Sequence, residues 1–477
     1  MKTNLNVDTQ GLREKILDLA MRGKLVEQDP NDEPASELLK QIQSEKKQLV
    51  KEGKIKKGKK LPEITDDEKP FNIPDGWNLV RLGDIINIIS GRDLPKTMHL
   101  NKRNSNAVPY ITGASNIENG KIITNVWTDK PVTIARKGDI LLTVKGTVGK
   151  IAVLDIDMAH IARQIMALSP ISNMTDQNYI ILFLKWYVSV LQQKATGMIP
   201  GVTREDVSTS LIPLPPLAEQ RRIADRVSEL FSQVDVIEKN VAEYQDLEQA
   251  MRSKLLNLAM RGKLVEQDPS DEPASELVKQ IQAERAELVK VGKIKKSKKL
   301  PEITDDEKPF DIPDSWEWVR LGDVVFNYDG MRIPLSISDR KNREKIYDYY
   351  GASGVIDKVD TYLFDRTLLL ISEDGANLIA RNKPIAFLAT GKYWVNNHAH
   401  VVDGVDISLL TFISLVINGM NISDYISGTA QPKLTQANLN RLPIPLPPLA
   451  EQKRIADKLT RLFEDLDTIK QNLATVS

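Results

Sequence analysis

This chain contains the same framework twice. Residues 12–85 recur at 251–324 with a constant offset of 239. The segment IPLPPLAEQRRIAD at 212–225 returns as IPLPPLAEQKRIAD at 444–457, with a different offset of 232. Between the repeated blocks lie two stretches that barely resemble each other, at about 86–210 and 325–442. The sequence therefore predicts two copies of one framework that carry two different inserts.

Composition places the chain among globular proteins. Its 477 residues, with 41% hydrophobic and 27% charged residues, predict two to four domains. No apolar run approaches the roughly 20 residues of a membrane span, and MKTNLNVDTQ at the N-terminus lacks the apolar core of a signal peptide. Cysteine is absent, which excludes disulfides, thiol catalysis and cysteine-based zinc sites. We expect a cytoplasmic protein without a membrane partner.

Charge is neutral overall but uneven along the chain. The first insert with its flanks (71–210) holds 15 Lys+Arg against 11 Asp+Glu, a net charge of +4. The second (310–443) holds 13 against 16, a net charge of −3, which argues against a purely electrostatic DNA site there. Two lysine-rich runs, KIKKGKK (54–60) and KIKKSKK (293–299), each precede an acidic ITDDE. Two interpretations stay open: an exposed, locally compensated linker, or a phosphate contact.

A long helix is predicted from Leu217 to about Met260. It follows the prolines of IPLPP, which cannot enter a helix interior. Spacings of three and four along the segment predict one apolar stripe on one face, formed by Ile223, Val227, Leu230, Val234, Ile237, Val241, Tyr244, Leu247, Met251, Leu255 and Leu258. A helix of this length cannot bury such a stripe alone, so it requires a partner helix.

The repeats indicate the partner. The first part of this helix matches 449–477 at the C-terminus, and its last part matches 12–26 at the N-terminus. The second copy of the long helix is therefore split between the chain ends. If the ends meet, two antiparallel helices form a coiled-coil spacer in a pseudo-twofold ring; a tandem duplication without closure is the alternative.

Shorter elements branch from this framework. SELLKQIQSEKKQLVKEG (36–53) predicts a helix with Ser36 as its N-cap and Gly53 as its C-terminal stop. The inserts mix strands with one late helix each, at 177–195 and 407–420, followed by the loops 196–206 and 427–437.

Catalytic motifs are absent from the sequence. GTVGKI at 146–151 superficially resembles a phosphate loop, but the required glycine and the Ser or Thr after Lys150 are replaced by Val144 and Ile151. His398 and His400 would share one face of a strand. Two imidazoles can hold a metal, but a local hydrogen-bonding role is the more common one. We therefore predict no catalytic residue and no metal.

Polar loops in both inserts suit base readout. Arginine recognises guanine, asparagine and glutamine recognise adenine, and lysine neutralises phosphate. The candidates are Arg92, Asn116, Lys145, Lys150, Arg163, Gln164 and Arg204 in the first insert, and Arg332, Asn377, Arg381, Lys392, Asn396, Asn397 and Lys433 in the second.

These motifs resemble the DNA-specificity subunits of type I restriction–modification systems over essentially the whole chain. The twice-used PLPPLAEQ[RK]RIAD is the most specific motif. WxxVRLGD after each proline-rich entrance (77–84 and 316–323), GDILLTVKGTVGK, YYGASGVID and WVNNHAH also resemble the family.

The resemblance implies an α+β fold: two mixed α/β target-recognition domains separated by two long antiparallel helices, in a pseudo-twofold circular arrangement. We assign the halves of the split helix to 1–26 and 448–477, helical hairpins with Lys-rich linkers to 27–70 and 266–309, target-recognition domains to 71–215 and 310–447, and the central spacer helix to 216–265.

The resemblance also implies the partners. Each target-recognition domain would read half of a bipartite site on double-stranded DNA. Two methyltransferase subunits that bind S-adenosylmethionine would dock on the helices, and restriction subunits would use ATP and Mg²⁺. The chain itself would bind no cofactor and would not be an enzyme, in a prokaryotic cytoplasm. A coiled-coil adaptor, a methylation-only complex and a stand-alone DNA enzyme with a metal at His398 and His400 remain the alternatives.

Overall fold

The computed structural model describes residues 7–194, 201–294, 296, 298–428 and 430–476. They form two compact units. The first unit comprises residues 7–240 and the second comprises the described residues after 240. Each unit contains one insert and part of the framework.

The helices of both units follow the repeat. Helices α1 to α6 are Thr9–Met21, Ala35–Lys51, Leu82–Ile85, Gln177–Lys194, Arg204–Ser208 and Leu217–Met260. Helices α7 to α13 are Ala274–Lys290, Leu321–Val324, Ile337–Lys341, Asn377–Ala380, Ile407–Gly419, Gln436–Arg441 and Leu449–Val476.

Helix α6 confirms the predicted spacer helix. It spans 44 residues, or about 66 Å. The predicted stripe is buried at Ile223, Val227 and Val234. It is wrong farther along, where Leu247 is 63% and Met251 is 52% exposed. A periodic apolar pattern therefore does not settle which residues of this helix face its partner.

Within the second unit, α6 makes polar contacts with α13 around Glu248. The Tyr244 hydroxyl contacts the Leu466 carbonyl of α13 at 3.5 Å, and Lys470 Nζ donates to Glu248 at 3.0 Å. Lys470 and Glu248 are only 11% and 10% exposed. A charged seam thus replaces the predicted apolar one around Glu248, while Leu255 and Leu256 pack against the apolar core of the second unit.

The short helix α2 begins at Ala35, with Pro34 at the N-cap. The prediction that Ser36 caps it is wrong, because the helix starts one residue earlier. The predicted stop is confirmed: Gly53 has φ +70° just beyond the C-cap, a conformation that favours glycine. Both predicted late helices are also confirmed, as α4 and α11. The predicted loop 196–206 lies partly outside the described residues, since 195–200 are not described.

The first unit contains strands β1 to β12. They are Asn78–Arg81, Ile86–Ser90, Val108–Ile111, Ile117–Glu118, Lys121–Ile122, Trp127–Thr128, Ile134–Arg136, Ile140–Thr143, Ile151–Val153, Met158–Ile161, Ile165–Pro170 and Leu211–Leu214. Two four-stranded sheets have the orders β6-β3-β10-β7 and β2-β11-β8-β9. The pair β3–β10 is parallel and the other pairs in these sheets are antiparallel.

The second unit contains strands β13 to β22. They are Glu317–Arg320, Phe326–Asn327, Tyr347–Gly351, Gly354–Val359, Phe364–Asp365, Leu368–Ser372, Ala386–Ala389, Lys392–Val395, Ala399–Asp403 and Pro443–Leu446. Its four-stranded sheets have the orders β16-β15-β20-β17 and β14-β21-β18-β19. The pair β15–β20 is parallel. The two dissimilar inserts therefore share one sheet arrangement.

The core of each insert has two layers. Alternate residues of β8 point to opposite faces of the sheet: Ile140 and Leu142 join the cluster that includes α4, and Leu141 joins the cluster between the sheets. In β18, Leu369 and Leu370 divide in the same way. Both faces of the central strand are buried, which explains its continuous apolar sequence.

A buried carboxylate joins each framework to its insert. The Glu219 side chain, 1% exposed, accepts hydrogen bonds from Trp77 Nε1 at 2.9 Å and Gln28 Nε2 at 3.0 Å. In the second unit Glu451 accepts from Trp316 Nε1 at 2.9 Å. These contacts explain why PLPPLAEQ accompanies both the entrance tryptophan and the MRGKLVEQDP segment.

Candidate nucleic-acid interface

Three backbone segments converge at one edge of the first insert. The turn between β10 and β11, the loop after β8 and the segment before α5 are joined by hydrogen bonds. Val144 N donates to the Gln164 carbonyl, and Val202 N donates to the Val144 carbonyl, both at 2.8 Å. Lys145 and Gly201 form an isolated bridge beside them. The edge is therefore a small backbone ladder that carries loop side chains.

A fourth segment, the loop after β2, closes against the same turn. Gly91 N donates to the Ile165 carbonyl at 3.0 Å. A Cβ at Gly91 would lie 2.0 Å from the Ala162 carbonyl oxygen, so only glycine fits this approach. The buried His160 side chain contacts the Arg92 carbonyl through Nε2 at 2.9 Å. Burial lowers the pKa of His160, against the opposing effect of this and other backbone hydrogen bonds.

The second insert builds the same ladder from other residues. Glu373 N donates to the His398 carbonyl at 2.9 Å, and Leu434 N donates to the Glu373 carbonyl at 2.8 Å. Asp374 and Lys433 form the isolated bridge that corresponds to Lys145 and Gly201. Equivalent backbone positions thus present unlike side chains in the two inserts.

Exposed cationic side chains cluster on the first edge. Arg92, Lys145, Arg163 and Arg204 are all exposed, and Gln164 is half-buried. The Arg163 side chain is 64% exposed and its Nε lies 2.7 Å from Asp93 Oδ2, so Asp93 orients the guanidinium while its nitrogens remain accessible. Asp93 was not among the predicted site residues, although it directly follows Arg92 in the SGRD motif.

The second edge rests on a buried ion cluster. The imidazole of His400, 1% exposed, contacts Asp329 through Nδ1 at 2.7 Å and the Leu434 carbonyl through Nε2 at 2.8 Å. Arg332 lies 2.6 Å from Glu373 and also donates to a backbone carbonyl. Burial alone would raise the pKa of Asp329, but the hydrogen bond and charge of His400 hold that pKa below its ordinary value.

Two of the predicted readers are exposed on this edge. Asn397 is exposed in the turn between β20 and β21. Lys433 is also exposed and lies 3.2 Å from Glu373. His398 contacts the Asp374 carboxylate at 2.9 Å beside them. The second edge is therefore less cationic than the first, as its net charge led us to expect.

Several predicted base readers have structural roles instead. Asn116 is fully buried; its Oδ1 accepts from Thr112 and its Nδ2 donates to the Ile123 carbonyl. The Arg381 guanidinium donates to the carbonyls of Leu378 in α10 and of Ile417 and Met420 at the end of α11. Both side chains therefore bind their own domain, and Asn116 has no side-chain donor left for a base.

Other predicted readers also have partners within the chain. Asn377 exchanges two hydrogen bonds with the Lys383 backbone, and the buried Asn396 accepts from His398 N. Lys150 Nζ donates to two carbonyls 2.9 Å away, and Lys392 lies 4.9 Å above the Tyr362 ring. Arg332 belongs to the buried ion cluster. Sequence reasoning could not separate a polar loop residue that binds its own backbone from one that faces outward.

Among the described residues, no group of three or more histidines, aspartates and glutamates is arranged to hold a metal ion. His398 and His400 instead contact different carboxylates, those of Asp374 and Asp329. No described helix combines the length and the apolar character that a membrane span requires.

The fold consists of two α/β domains that have the same strand arrangement but unlike loops, and a long helix joins them. These features define a modular recognition protein. Residues 74–244 and 313–477 match the family model for the type I restriction modification DNA specificity domain. The chain belongs to this family of non-catalytic, DNA-recognising specificity subunits.

Relatives cover the whole chain. The type I restriction enzyme EcoEI specificity subunit of Escherichia coli is 33% identical, across 99% of this chain and 92% of that protein. The EcoAI specificity subunit of the same species is 32% identical, across 97% and 90%. A chain from a solved structure concerned with complex assembly and conformational transition of a type I restriction–modification system shares 20% identity, with a TM-score of 0.53 over 85% of this chain and 95% of that chain. At this identity the last comparison shows the fold.

Proposed function

We propose that each insert domain reads one half of a bipartite double-stranded DNA target through its ladder edge. The observation that carries this proposal is the shared ladder itself. Two inserts of dissimilar sequence hold the same backbone positions, and they present Lys145 in one case and Asp374 in the other. A constant scaffold with variable side chains is what the recognition of two different half-sites requires.

The side chains of the first edge suit direct readout. Arginine can donate two hydrogen bonds to guanine, glutamine can pair with adenine, and lysine neutralises phosphate. We assign Arg92, Arg163 and Gln164 to bases, and Lys145 and Arg204 to the backbone. The exposure of the four cationic side chains supports their roles.

The second edge would work with fewer cations. Asn397 carries an amide suited to adenine, and Lys433 lies where a phosphate can compete with Glu373 for its ammonium group. Because this edge is poor in positive charge, more of its binding energy must come from partner subunits or from base contacts.

The framework would hold the edges and the partner subunits. In this proposal the spacer helices fix the length of the unread gap, and two methyltransferase subunits dock on them. Leu247, Met251 and Ile469 are 63%, 52% and 48% exposed on the spacer helices of the second unit, and exposed apolar side chains of this kind favour a protein partner.

Restriction subunits complete the complex, S-adenosylmethionine, ATP and Mg²⁺ reside on the partners, and the complex acts in the prokaryotic cytoplasm. Closure of the split helix into a ring stays a prediction, as do the sequence-based domain boundaries.

Selection from a random duplex library tests this function. The full chain and its methyltransferase subunit are incubated with the library, and the retained DNA is sequenced. We expect two short blocks of base preference separated by a gap of constant length. A single continuous motif, or retention without any base preference, would contradict a bipartite reader.

A further inference from the structure

The lysine-rich runs are anchored at their ends to their own units. We define the basic straps as residues 54–61 in the first unit and the described residues 293, 294, 296 and 298–300 in the second. At the start of the first strap, Lys54 N and Ile55 N both donate to the Leu49 carbonyl of α2, at 2.9 and 3.3 Å. The strap therefore leaves the helix in a defined direction.

A buried arginine fixes the other end of the first strap. Arg81, 5% exposed, donates to the carbonyls of Pro62 and Glu63 at 3.2 and 3.1 Å. It also binds both carboxylate oxygens of Glu68, at 2.9 and 2.8 Å. Both contacts come from Nη2, so one guanidinium ties Glu68 to the end of the strap.

The second strap repeats this anchor. Arg320, 4% exposed, donates to the carbonyls of Pro301 and Glu302 at 3.0 and 2.8 Å and binds both carboxylate oxygens of Glu307. Each strap is thus held against its own unit through the strand that enters the insert.

Several acidic residues after each strap have other partners, although Glu63 lies 3.9 Å from Lys60 of the first strap. Glu68 and Glu307 are committed to the two anchoring arginines, and Asp66 and Asp305 pair with Lys69 and Lys308. In contrast, Lys57, Lys59, Lys296 and Lys298 are exposed and form no ion pair with any described residue. These four lysines leave positive charge on the straps, although Lys54 and Lys60 of the first strap pair with Glu52 and Glu63.

We propose that the two basic straps bind the phosphodiester backbone of duplex DNA, independently of base sequence. This inference rests on the proposed DNA-reading function and extends the footprint beyond the two ladder edges. The straps are nearly the same while the inserts differ, so their ligand does not vary with the half-site. The DNA backbone has this property, and each neutralised phosphate releases condensed counterions.

The strap chemistry favours phosphate over a protein partner. The only apolar residues of the straps, Ile55, Leu61, Ile294 and Leu300, are half-buried against their own units. The outward side chains are almost all lysines, which are depleted from the cores of protein–protein interfaces. Lysine is instead suited to phosphate as a flexible point charge.

The test is the salt dependence of DNA affinity, measured on the full chain with its methyltransferase partner. The variant replaces Lys57, Lys59, Lys296 and Lys298 with glutamine, and the matched control replaces them with arginine. Binding is titrated at several salt concentrations on duplexes with and without the selected target motif. We expect the glutamine variant to lose affinity by the same factor on both duplexes. Its plot of log affinity against log salt should flatten by about 0.9 per lost contact, while the arginine variant keeps the wild-type slope.

Three results would overturn the strap proposal. The first is an unchanged salt slope in the glutamine variant. The second is an equal loss of DNA affinity in the arginine variant. The third is a glutamine variant that loses its methyltransferase partner while its salt slope stays the same. The last would identify a protein-binding surface. If the proposed DNA-reading function itself were wrong, wild-type protein would bind the duplexes with and without the target motif equally. The two failures can therefore be told apart.

Discussion

Arg252 of the spacer helix forms an ion pair with Asp467 of the C-terminal helix and lies 5.0 Å above the Phe463 ring. Arg13 pairs with Asp235 in the first unit and lies 5.2 Å above the corresponding phenylalanine ring. The sequence offsets of 239 and 232 map one set of contacts onto the other. The duplicated framework therefore forms the same helix contact twice, once in each unit.

The buried seam between Glu248 and Lys470 should stabilise the second unit strongly. Lys470→Met leaves the Glu248 carboxylate without its cation where both side chains are about one-tenth exposed. Loss of one partner of a buried pair costs about 3–5 kcal/mol in the free energy of unfolding, and the residual contact of Glu248 with Arg252 places this site at the lower end. Denaturant unfolding measures the loss.

The double variant Lys470→Met/Glu248→Gln provides the control for this prediction. It removes both charges, so it should be less destabilised than the sum of the two single changes. Additive losses would mean that the two side chains do not interact in the folded protein.

Glu307→Gln should change the pH dependence of stability. Hydrogen bonds from Arg320 hold the pKa of Glu307 at about 2, against an ordinary value of 4.5. The ionised carboxylate therefore stabilises the fold above about pH 4.5, and this contribution is lost as the pH falls toward 2. The variant should lose about 1.5–3 kcal/mol at neutral pH. Urea unfolding at a series of pH values should show the difference from wild type shrinking in acid; a constant difference would contradict the ion pair.

Arg163→Ala should weaken recognition of the first half-site alone. The exposed guanidinium, oriented by Asp93, is suited to a guanine, and loss of such a contact costs about 1–3 kcal/mol of discrimination. Affinity is measured on duplexes mutated in either half-site. An equal loss of affinity on unrelated DNA would reassign Arg163 to a phosphate contact.

Asn116→Ala is the control for Arg163→Ala, because it removes a buried side chain of the same insert. Its amide is buried and joins Thr112 to the Ile123 carbonyl, so its loss should lower the free energy of unfolding by about 1–3 kcal/mol. Folded protein should keep the base preferences of wild type. Changed preferences at unchanged stability would restore Asn116 as a reader.

The central spacer helix could be predicted from the sequence almost to the residue. Helix α6 spans Leu217–Met260 as its periodicity and the preceding prolines indicated. Each framework segment occurs twice in the sequence, so the two copies could be compared with each other. The exposed Leu247 and the polar seam at Glu248 lay beyond that reasoning, because periodicity does not identify the residues of the partner helix.

The shared architecture of the inserts could not be predicted from the sequence. Their sequences are too different to align, yet the strand orders agree and the ladder of Val144 and Gln164 corresponds to that of Glu373 and His398. Backbone hydrogen bonds build this ladder, and they place few demands on side-chain identity. Arg163 and Arg381 occur in similar sequence contexts, but their surroundings differ. Arg163 faces outward, whereas Arg381 donates to carbonyls at the end of α11.

The most direct test of a modular DNA reader is single-molecule mapping of N6-methyladenine in source-cell DNA. It is carried out with the native gene, without the gene, and with one insert replaced by that of a relative. The account predicts a bipartite motif with a fixed gap that disappears on deletion, and an insert exchange that changes one half-site and keeps the other. A methylation pattern that survives deletion, or half-sites that change together, would contradict it.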